Sequence, residues 1–164
     1  MSKLSHVDAK GRARMVDVGA KRVTRREATA RGCVRMSPEA IELVRANRLA
    51  KGDVLAVAQI AGIQAAKRTA ELIPLCHPLP LDAVDVDLRL DAPRGCVRIE
   101  ARARCRAATG VEMEALTAVA VAGLAVYDMV KSVDREAIVG QIRLIRKKGG
   151  KSGLFRRPPA SGPR

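Results

Sequence analysis

Two segments in the middle of the chain alternate between apolar and polar residues. Apolar side chains occupy every second position from Val84 to Leu90 and again from Val97 to Cys105. A period of two is typical of β-strands that bury one face and expose the other. Residues 92–95, with the sequence Ala-Pro-Arg-Gly, separate the two segments, so the pattern predicts an antiparallel hairpin.

Three other segments have the features of helices. Ser37-Pro38-Glu39 combines an N-cap serine, a proline in the first turn and an early acid, which predicts a helix to about Arg48. Asp53 can cap a second helix that runs to about Leu72 and places Ala and Ile on one face. Residues 111–131 are apolar nearly all round and predict a third helix, in which alanine and glycine permit close packing.

The order of the predicted elements indicates the fold. With strands over residues 22–35 and 138–146, the order is β-α(α)-β-β-α-β. This order is typical of the ferredoxin-like arrangement, an α+β fold with an antiparallel sheet and helices on one face. The helix at 111–131 is more apolar than one sheet face can cover, which predicts that a partner subunit lies on it.

A chain of 164 residues is expected to form one domain with a substantial core. Residues 1–20 are polar and charged with little periodicity, and they predict an irregular N-terminal arm. The ferredoxin-like domain is expected over residues 21–153. Residues 154–164 are basic and rich in proline, and they predict a disordered tail.

The composition narrows the class of partner. The chain has a formal net charge of +14 at pH 7 but only one Tyr, one Phe and no Trp. A strongly basic protein has either an acidic partner or a solvated basic surface. Modules that bind single-stranded nucleic acid stack bases on aromatic side chains. Because this chain has almost none, we expect a multiply phosphorylated small molecule and no nucleic acid.

Cysteine usage and the amino terminus indicate the compartment. The cysteines at positions 33, 76, 96 and 105 form no Cys-x-x-Cys pair, and the first six residues lack the apolar segment of a signal peptide. We expect no apolar run long enough to span a bilayer. These features predict a cytoplasmic protein with reduced thiols and no membrane contact.

Residues 72–80, Leu-Ile-Pro-Leu-Cys-His-Pro-Leu-Pro, hold a thiol and an imidazole side by side. Proline fixes φ and disfavours helix in the residue before it, so Cys76 and His77 are expected on a stiff, extended loop. One cysteine and one histidine do not fill a tetrahedral metal site, so no metal is expected. A histidine hydrogen-bonded to the loop backbone and a substrate contact are both open interpretations.

Longer strings of mixed composition follow one another along the chain: residues 15–18, 51–54, 60–69, 72–79, 110–117, 127–131 and 149–153. Two of them are Gly-Val-Glu-Met-Glu-Ala-Leu-Thr at 110–117 and Tyr-Asp-Met-Val-Lys at 127–131. Over roughly residues 1–153 the chain resembles the molybdenum cofactor biosynthesis protein C family, the cyclic pyranopterin monophosphate synthases. Strings of this length and order are far more specific than a short motif.

The resemblance implies a reaction and an assembly. The substrate would be (8S)-3′,8-cyclo-7,8-dihydroguanosine 5′-triphosphate, which a lyase of this family converts to cyclic pyranopterin monophosphate with release of pyrophosphate. The family fold is ferredoxin-like, in a homohexamer built as a trimer of dimers with active sites at subunit interfaces. No cofactor is expected, although Mg²⁺ can accompany the triphosphate.

The resemblance makes Asp128, Lys131 and Lys51 the catalytic residues. Asp128 and Lys131 are three positions apart, which places them on one face of a helix, where a lone ion pair usually contributes little. We expect partial burial at the end of an apolar helix to shift both pKa values. A lysine whose pKa is lowered toward neutrality is a competent general acid or base.

The resemblance also implies substrate-binding residues. The residues implied for the base are Leu75, Cys76, His77, Glu112, Met113 and Glu114. The residues implied for the phosphates are Arg26, Lys67, Lys147 and Lys151. From the residues alone, the macrodipole of a helix start explains the two glutamates, and a solvated basic face explains the cations. The rival functions are a nucleic-acid-binding module on the same fold and an inactive scaffold that binds nucleotides for a partner enzyme.

Overall fold

The computed structural model describes residues 11–158, which form an antiparallel sheet with helices on one face. The strands are β1 (Thr24–Arg35), β2 (Leu81–Asp91), β3 (Cys96–Ala107), β4 (Ile138–Lys148) and β5 (Phe155–Arg156). The helices are α1 (Pro38–Arg45), α2 (Val54–Lys67), α3 (Thr69–Leu72) and α4 (Glu112–Val130). A 3₁₀ turn at Ala92–Arg94 joins β2 to β3, and Gly95, with a φ of 61°, closes the predicted hairpin.

Across residues 11–158 the strand order in the sheet is β2-β3-β1-β4-β5, and each neighbouring pair is antiparallel. The long strands β1 and β3 therefore occupy the middle of the sheet. α2 and α4 pack on the same side of these strands. This arrangement confirms the predicted α+β, ferredoxin-like fold.

Alternation along the strands decides which residues face the helices. On β1, Ala28, Ala30 and Val34 are buried under the helices, whereas Arg31 and Arg35 point to the opposite side and are exposed. β3 follows the same rule, with its odd-numbered residues buried. We call the side of the sheet away from the helices the outer face. It is polar and rich in arginine because the predicted period of two is realised along β3 and most of β1 also alternates, although Thr29 is buried as well.

α4 packs against both α2 and the sheet, and small residues let it approach both closely. A Cβ on Gly62 of α2 would lie 2.9 Å from the carbonyl oxygen of Ala118. A Cβ on Gly123 of α4 would lie 2.7 Å from Cγ1 of Val139 on β4. Both distances are shorter than van der Waals contact, so a side chain at either glycine would force the elements apart.

The apolar character of α4 is explained mainly by packing inside the chain. Its length and mean hydropathy are those of a membrane span, so the expectation that no run reaches that length was wrong. However, 56% of its most apolar window is buried in the protein, as in a core helix. Leu124 is 58% exposed, and the subunit contact predicted on this helix stays a prediction.

The second predicted helix is interrupted before its end. The prediction continued it to about Leu72, whereas α2 ends at Lys67 and the short α3 follows. Arg68 separates them, with a φ of −112° and a ψ of 16° that lie outside the α-helical range. The hydroxyl of Thr69 donates a hydrogen bond to the carbonyl oxygen of Ala66 at 3.0 Å and so ties α3 back to α2.

β5 lies within the segment that was predicted to be a disordered tail. Phe155 pairs with Lys147, and Arg156 pairs with Arg146, which extends the sheet beyond β4. A strand of two residues has no alternation to reveal it in the sequence. The rest of the tail at 159–164 and residues 1–10 of the predicted arm lie outside the described residues.

Candidate functional site

A cavity of about 400 Å³ lies at the N-terminal end of α4. We call it the Cys76 chamber. Three segments that are distant in sequence line it: residues 16–21, the loop between α3 and β2, and the start of α4 with the residues just before it. The predicted base-binding residues that the structure brings together here are Leu75, Cys76, His77, Glu112, Met113 and Glu114.

Local geometry holds the last two of these segments in place. The amide of Cys76 donates a hydrogen bond to the carbonyl oxygen of Ile73 at 3.0 Å, which closes a turn before the prolines. At the start of α4 the side chain of Glu112 folds back over Gly110, so that a Cβ at that glycine would collide with the carboxylate. The N-cap residue Val111 offers no side-chain acceptor, which leaves the first amides of α4 without a side-chain cap.

Glu114 is the most buried acidic side chain among the described residues, with 4% of its surface exposed. Burial raises the pKa of its carboxyl group, and the charge of Glu112 raises it further, although a backbone hydrogen bond opposes the shift. Its Oε2 is buried and accepts no hydrogen bond within residues 11–158. A buried oxygen of this kind is satisfied when a ligand supplies a donor.

The chamber contains one thiol, that of Cys76, and one imidazole, that of His77. Burial raises the pKa of the Cys76 thiol and the charge of Glu114 raises it further, so the group is a neutral thiol near pH 7. The half-buried imidazole of His77 forms no side-chain hydrogen bond with any described residue, so the interpretation of His77 as a backbone-bonded histidine is not supported. Within residues 11–158 no group of three His, Cys, Asp or Glu is placed to hold a metal ion.

A second cavity, of about 680 Å³, adjoins the first. We call it the Lys151 chamber. It brings together Arg26, Lys147 and Lys151, three of the four cations predicted for the phosphates. The residues that line both chambers are Lys21, Thr109, Gly110 and Glu112. The two chambers are therefore direct neighbours that share a wall.

Backbone contacts fix the cations of the Lys151 chamber. Arg26 donates from Nε to the carbonyl oxygen of Ala107 at 3.2 Å and from Nη2 to that of Ala108 at 3.1 Å, which leaves Nη1 for a ligand. Gly149 and Gly150 have φ values of 102° and 72° and turn the chain over Arg26. Lys147, just before this turn, donates a hydrogen bond to the hydroxyl of Ser152, just after it.

Lys51, Asp128 and Lys131 form a cluster at the other end of α4. The Nζ of Lys51 lies 2.7 Å from Oδ2 of Asp128 and 2.8 Å from its carbonyl oxygen. The Nζ of Lys131 lies 2.7 Å from Oδ1 of the same carboxylate. The exposed fractions of the three side chains are 45%, 55% and 52% in the order named. We call this group the Asp128 cluster.

The direction of the pKa shifts in the Asp128 cluster corrects the prediction from the sequence. The hydrogen bond from Lys131, followed by that from Lys51, lowers the pKa of Asp128 to about 2. The same contact raises the pKa of Lys131. The expectation that burial would lower the lysine pKa was wrong for the single chain, because the cluster is exposed and the carboxylate stabilises the charged amine.

The two chambers and the Asp128 cluster lie at opposite ends of α4. Glu112 and Asp128 are 16 positions apart, so at 1.5 Å per residue they are about 24 Å apart along the helix axis. Lys67, in the last turn of α2, is exposed and lines neither chamber. The structure of one chain therefore brings together the predicted binding residues other than Lys67, and separately the predicted catalytic residues.

The sequence prediction missed residues that complete the walls. Val16 and Val18 of the predicted arm line the Cys76 chamber, and Lys21 lies where the two chambers meet. Thr109 also contributes to both. A signal for the arm was present, because residues 15–18 belong to one of the strings that carry the family resemblance.

Comparison with known proteins agrees with that resemblance. The profile of the MoaC family matches residues 15–150. A cyclic pyranopterin monophosphate synthase of Pelotomaculum thermopropionicum is 60% identical over 157 residues, which cover 96% of this chain and 92% of the relative. The same-named protein of Thermomicrobium roseum is 61% identical over 157 residues, with 96% and 95% covered. That of a Roseiflexus species (strain RS-1) is 62% identical over 155 residues, with 94% and 98% covered.

We predict that the carboxyl carbon of Asp128 titrates with a midpoint at about 2 in an NMR experiment on the folded protein. Since this pKa is lowered on folding, the ion pairs stabilise the fold above the ordinary value of 3.8, and that contribution is lost as the pH falls through about 2. Lys131→Met should move the midpoint toward 3.8, further than Lys51→Met does. A midpoint near 3.8 in the wild type would contradict the geometry.

We also predict that Glu114→Gln increases the free energy of unfolding at pH 7. The raised pKa means that the ionised carboxylate costs stability, a cost that appears as the pH rises above the ordinary value of 4.5. The gain should therefore disappear when both proteins are unfolded by urea at pH 4. Glu39→Gln, at an exposed first-turn position of α1, controls for the loss of a charge near a helix start. An equal gain at both pH values would refute the prediction.

Proposed function

The chain belongs to the MoaC family, and we propose that it is a cyclic pyranopterin monophosphate synthase of molybdenum cofactor biosynthesis. In the proposed reaction (8S)-3′,8-cyclo-7,8-dihydroguanosine 5′-triphosphate rearranges to cyclic pyranopterin monophosphate and pyrophosphate leaves, which is a lyase reaction. The adjacency of the two chambers, which share four lining residues, carries the proposal. One ligand can lay a ring against a buried carboxylate and its phosphates among three cations.

The Cys76 chamber suits the guanine-derived part of the substrate. The pyrimidinone ring of such a substrate presents N–H donors along one edge. Glu114 offers a buried oxygen without a partner in the described residues. Glu112, two residues earlier in the same turn of α4, also lines the chamber. Hydrogen bonds from N–H groups to carboxylates are among the stronger kinds, so this edge would satisfy Glu114. His77, Leu75, Cys76 and Met113 complete the wall.

The Lys151 chamber suits the triphosphate. Arg26 is held by two backbone carbonyls and keeps Nη1 for an anion, while Lys147 and Lys151 approach from β4 and the glycine turn. Cations fixed around the leaving group stabilise the negative charge that develops as pyrophosphate departs. Lys67 would join them only in an assembly that brings its exposed amine to the chamber.

The proposal includes no protein-bound cofactor. Mg²⁺ would be held through phosphate oxygens of the substrate, since Mg²⁺ commonly binds nucleotides in this way without a protein cage. We infer that the enzyme works in the cytoplasm on a small molecule, with no nucleic-acid or membrane partner. The cysteines at 33, 76, 96 and 105 are all free thiols, as is typical of a reducing compartment.

We assign proton transfer to Lys51, Asp128 and Lys131. In the single chain the carboxylate pairs with both amines and raises the pKa of Lys131, which holds protons at a defined position. Substrate phosphates and exclusion of water would change this balance, because desolvation lowers a lysine pKa and frees the amine for acid–base work. The cluster therefore holds protons that it can transfer only when the site is closed to water.

Closure is proposed to come from a second chain. A substrate in the chambers would have to extend about 24 Å along α4 to reach the Asp128 cluster of the same chain. A neighbouring chain can place its cluster over the chambers instead, which yields active sites at subunit interfaces. This arrangement agrees with the homohexamer, a trimer of dimers, that the family resemblance implies.

The direct test is turnover. The purified protein, incubated with the cyclised triphosphate, should release pyrophosphate and form the pterin. Lys131→Ala is expected to lower turnover by about 100-fold or more, the usual contribution of a positioned acid or base. Lys148→Ala removes an exposed lysine beside Lys147 and should leave turnover unchanged. A folded wild-type oligomer that binds the triphosphate without turnover would instead support the scaffold function.

Mixing two inactive variants tests whether the site is shared. Lys131→Ala and Glu114→Gln alter opposite ends of α4, so a mixed dimer contains one site with both changes and one site with neither. Random exchange of subunits should then restore about a quarter of wild-type activity. No recovery after verified subunit exchange would show that both ends of one α4 serve the same site.

A further inference from the structure

A cavity of about 710 Å³ opens beside the Lys151 chamber and is lined by three arginines, Arg25, Arg104 and Arg106. Thr24 lines both this cavity and the Lys151 chamber, so the two are neighbours around β1. The three arginines are on the outer face of the sheet, whereas Arg26 points to the side of the helices. Asp82 also lines the cavity. We call this cavity the arginine site.

The arginine site contains a pair of like charges directly opposite each other. Arg25 on β1 and Arg106 on β3 are register partners, and Arg104 lies two residues along the same face of β3. Cβ atoms of such partners are about 4.5–5.5 Å apart, and like charges in this position destabilise a sheet. Neither Arg25 nor Arg106 forms an ion pair or side-chain hydrogen bond within residues 11–158.

A second arginine pair on the same sheet shows how such repulsion is otherwise relieved. Arg89 on β2 and Arg98 on β3 are also register partners. There, Oδ2 of Asp87 lies 2.7 Å from Nε of Arg89, and Oδ2 of Asp91 lies 2.7 Å from Nε of Arg98. Each of these arginines thus has a carboxylate partner, although Asp91 also pairs with Arg94. The Arg25–Arg106 pair lacks this compensation in the described part of the chain.

Arg104 adds an unsatisfied donor to the site. Its Nη2 donates to Oδ2 of Asp85 at 3.2 Å, but its Nε is buried and finds no acceptor within residues 11–158. A buried N–H without an acceptor is costly. An anion with several oxygens in this cavity would relieve the repulsion between Arg25 and Arg106 and could pair with the guanidinium group of Arg104.

We propose that the arginine site binds a small phosphate-bearing anion of the size of inorganic pyrophosphate. Guanidinium groups match phosphate oxygens in pairs of parallel hydrogen bonds, so arginines converging on a concave surface favour this chemistry. The site is separate from the Lys151 chamber and does not depend on the proposed reaction. If that reaction is correct, the site provides a second position for the departing pyrophosphate, next to the first.

Binding of inorganic pyrophosphate to the intact oligomer, measured by calorimetry without divalent cations, tests the proposal. The wild type should show two classes of site per chain. Arg25→Gln/Arg106→Gln should weaken one class by about tenfold or more, and Lys151→Ala should weaken the other. Arg89→Gln, which removes an arginine already paired with a carboxylate, should leave both classes intact.

Thermal unfolding gives an independent readout. Without anion, Arg106→Gln should raise the Tm, because it removes the cross-strand repulsion. Added pyrophosphate should raise the Tm of Lys151→Ala more than that of the Lys151→Ala/Arg106→Gln protein.

Three results would overturn the proposal. One is a single class of pyrophosphate site that Lys151→Ala removes. Another is a changed oligomeric mass in Arg25→Gln/Arg106→Gln with binding intact, which would assign the surface to a contact between copies. The third is a random RNA oligonucleotide that displaces pyrophosphate with an affinity rising with its length, which would indicate a nucleic-acid surface. None of them depends on whether the triphosphate is turned over.

Discussion

The close approach of α4 to its neighbours is the constraint on which the rest of the structure depends. Gly62 brings α2 against the backbone of α4 near Ala118, and Gly123 brings α4 against β4 near Val139. With so few aromatic residues the core is built from small and branched aliphatic side chains, and such a core is dense only if its elements lie close together. This packing makes α4 a rigid support, so the chemical groups at its two ends keep fixed positions.

The two ends of α4 create opposite environments for a carboxylate. At the start of the helix, burial makes ionisation of Glu114 unfavourable, and one of its oxygens has no partner in the described residues. At the end of the helix, two exposed lysines make ionisation of Asp128 favourable. One acid is therefore suited to accept hydrogen bonds from a ligand ring, and the other is suited to organise cations. A single helix thus carries two carboxylates whose pKa values are shifted in opposite directions.

Sequence periodicity was sufficient for β2 and β3, because every second residue from Val84 and from Val97 is apolar. It did not reveal the interruption at Arg68, since apolar residues continue on both sides of it, or β5, since two residues carry no period. The predicted binding residues that line the chambers came from strings of family resemblance, whereas Lys21, which also lines both chambers, was not predicted. The direction of the Lys131 shift depends on exposure, which composition does not encode.

The glycine turn over Arg26 has a mechanical consequence. After the turn, the amide of Arg157 donates to the carbonyl oxygen of Ile145 at 2.8 Å, and its Nε donates to that of Leu144 at 2.7 Å. The turn that carries Lys151 is thereby fastened to β4 at both of its ends, before Gly149 and after Gly153. A loop attached at both ends in this way has less conformational freedom than a free terminal segment. The segment beyond the family match, which looks like an appendage in the sequence, thus fixes the position of the loop that carries Lys151.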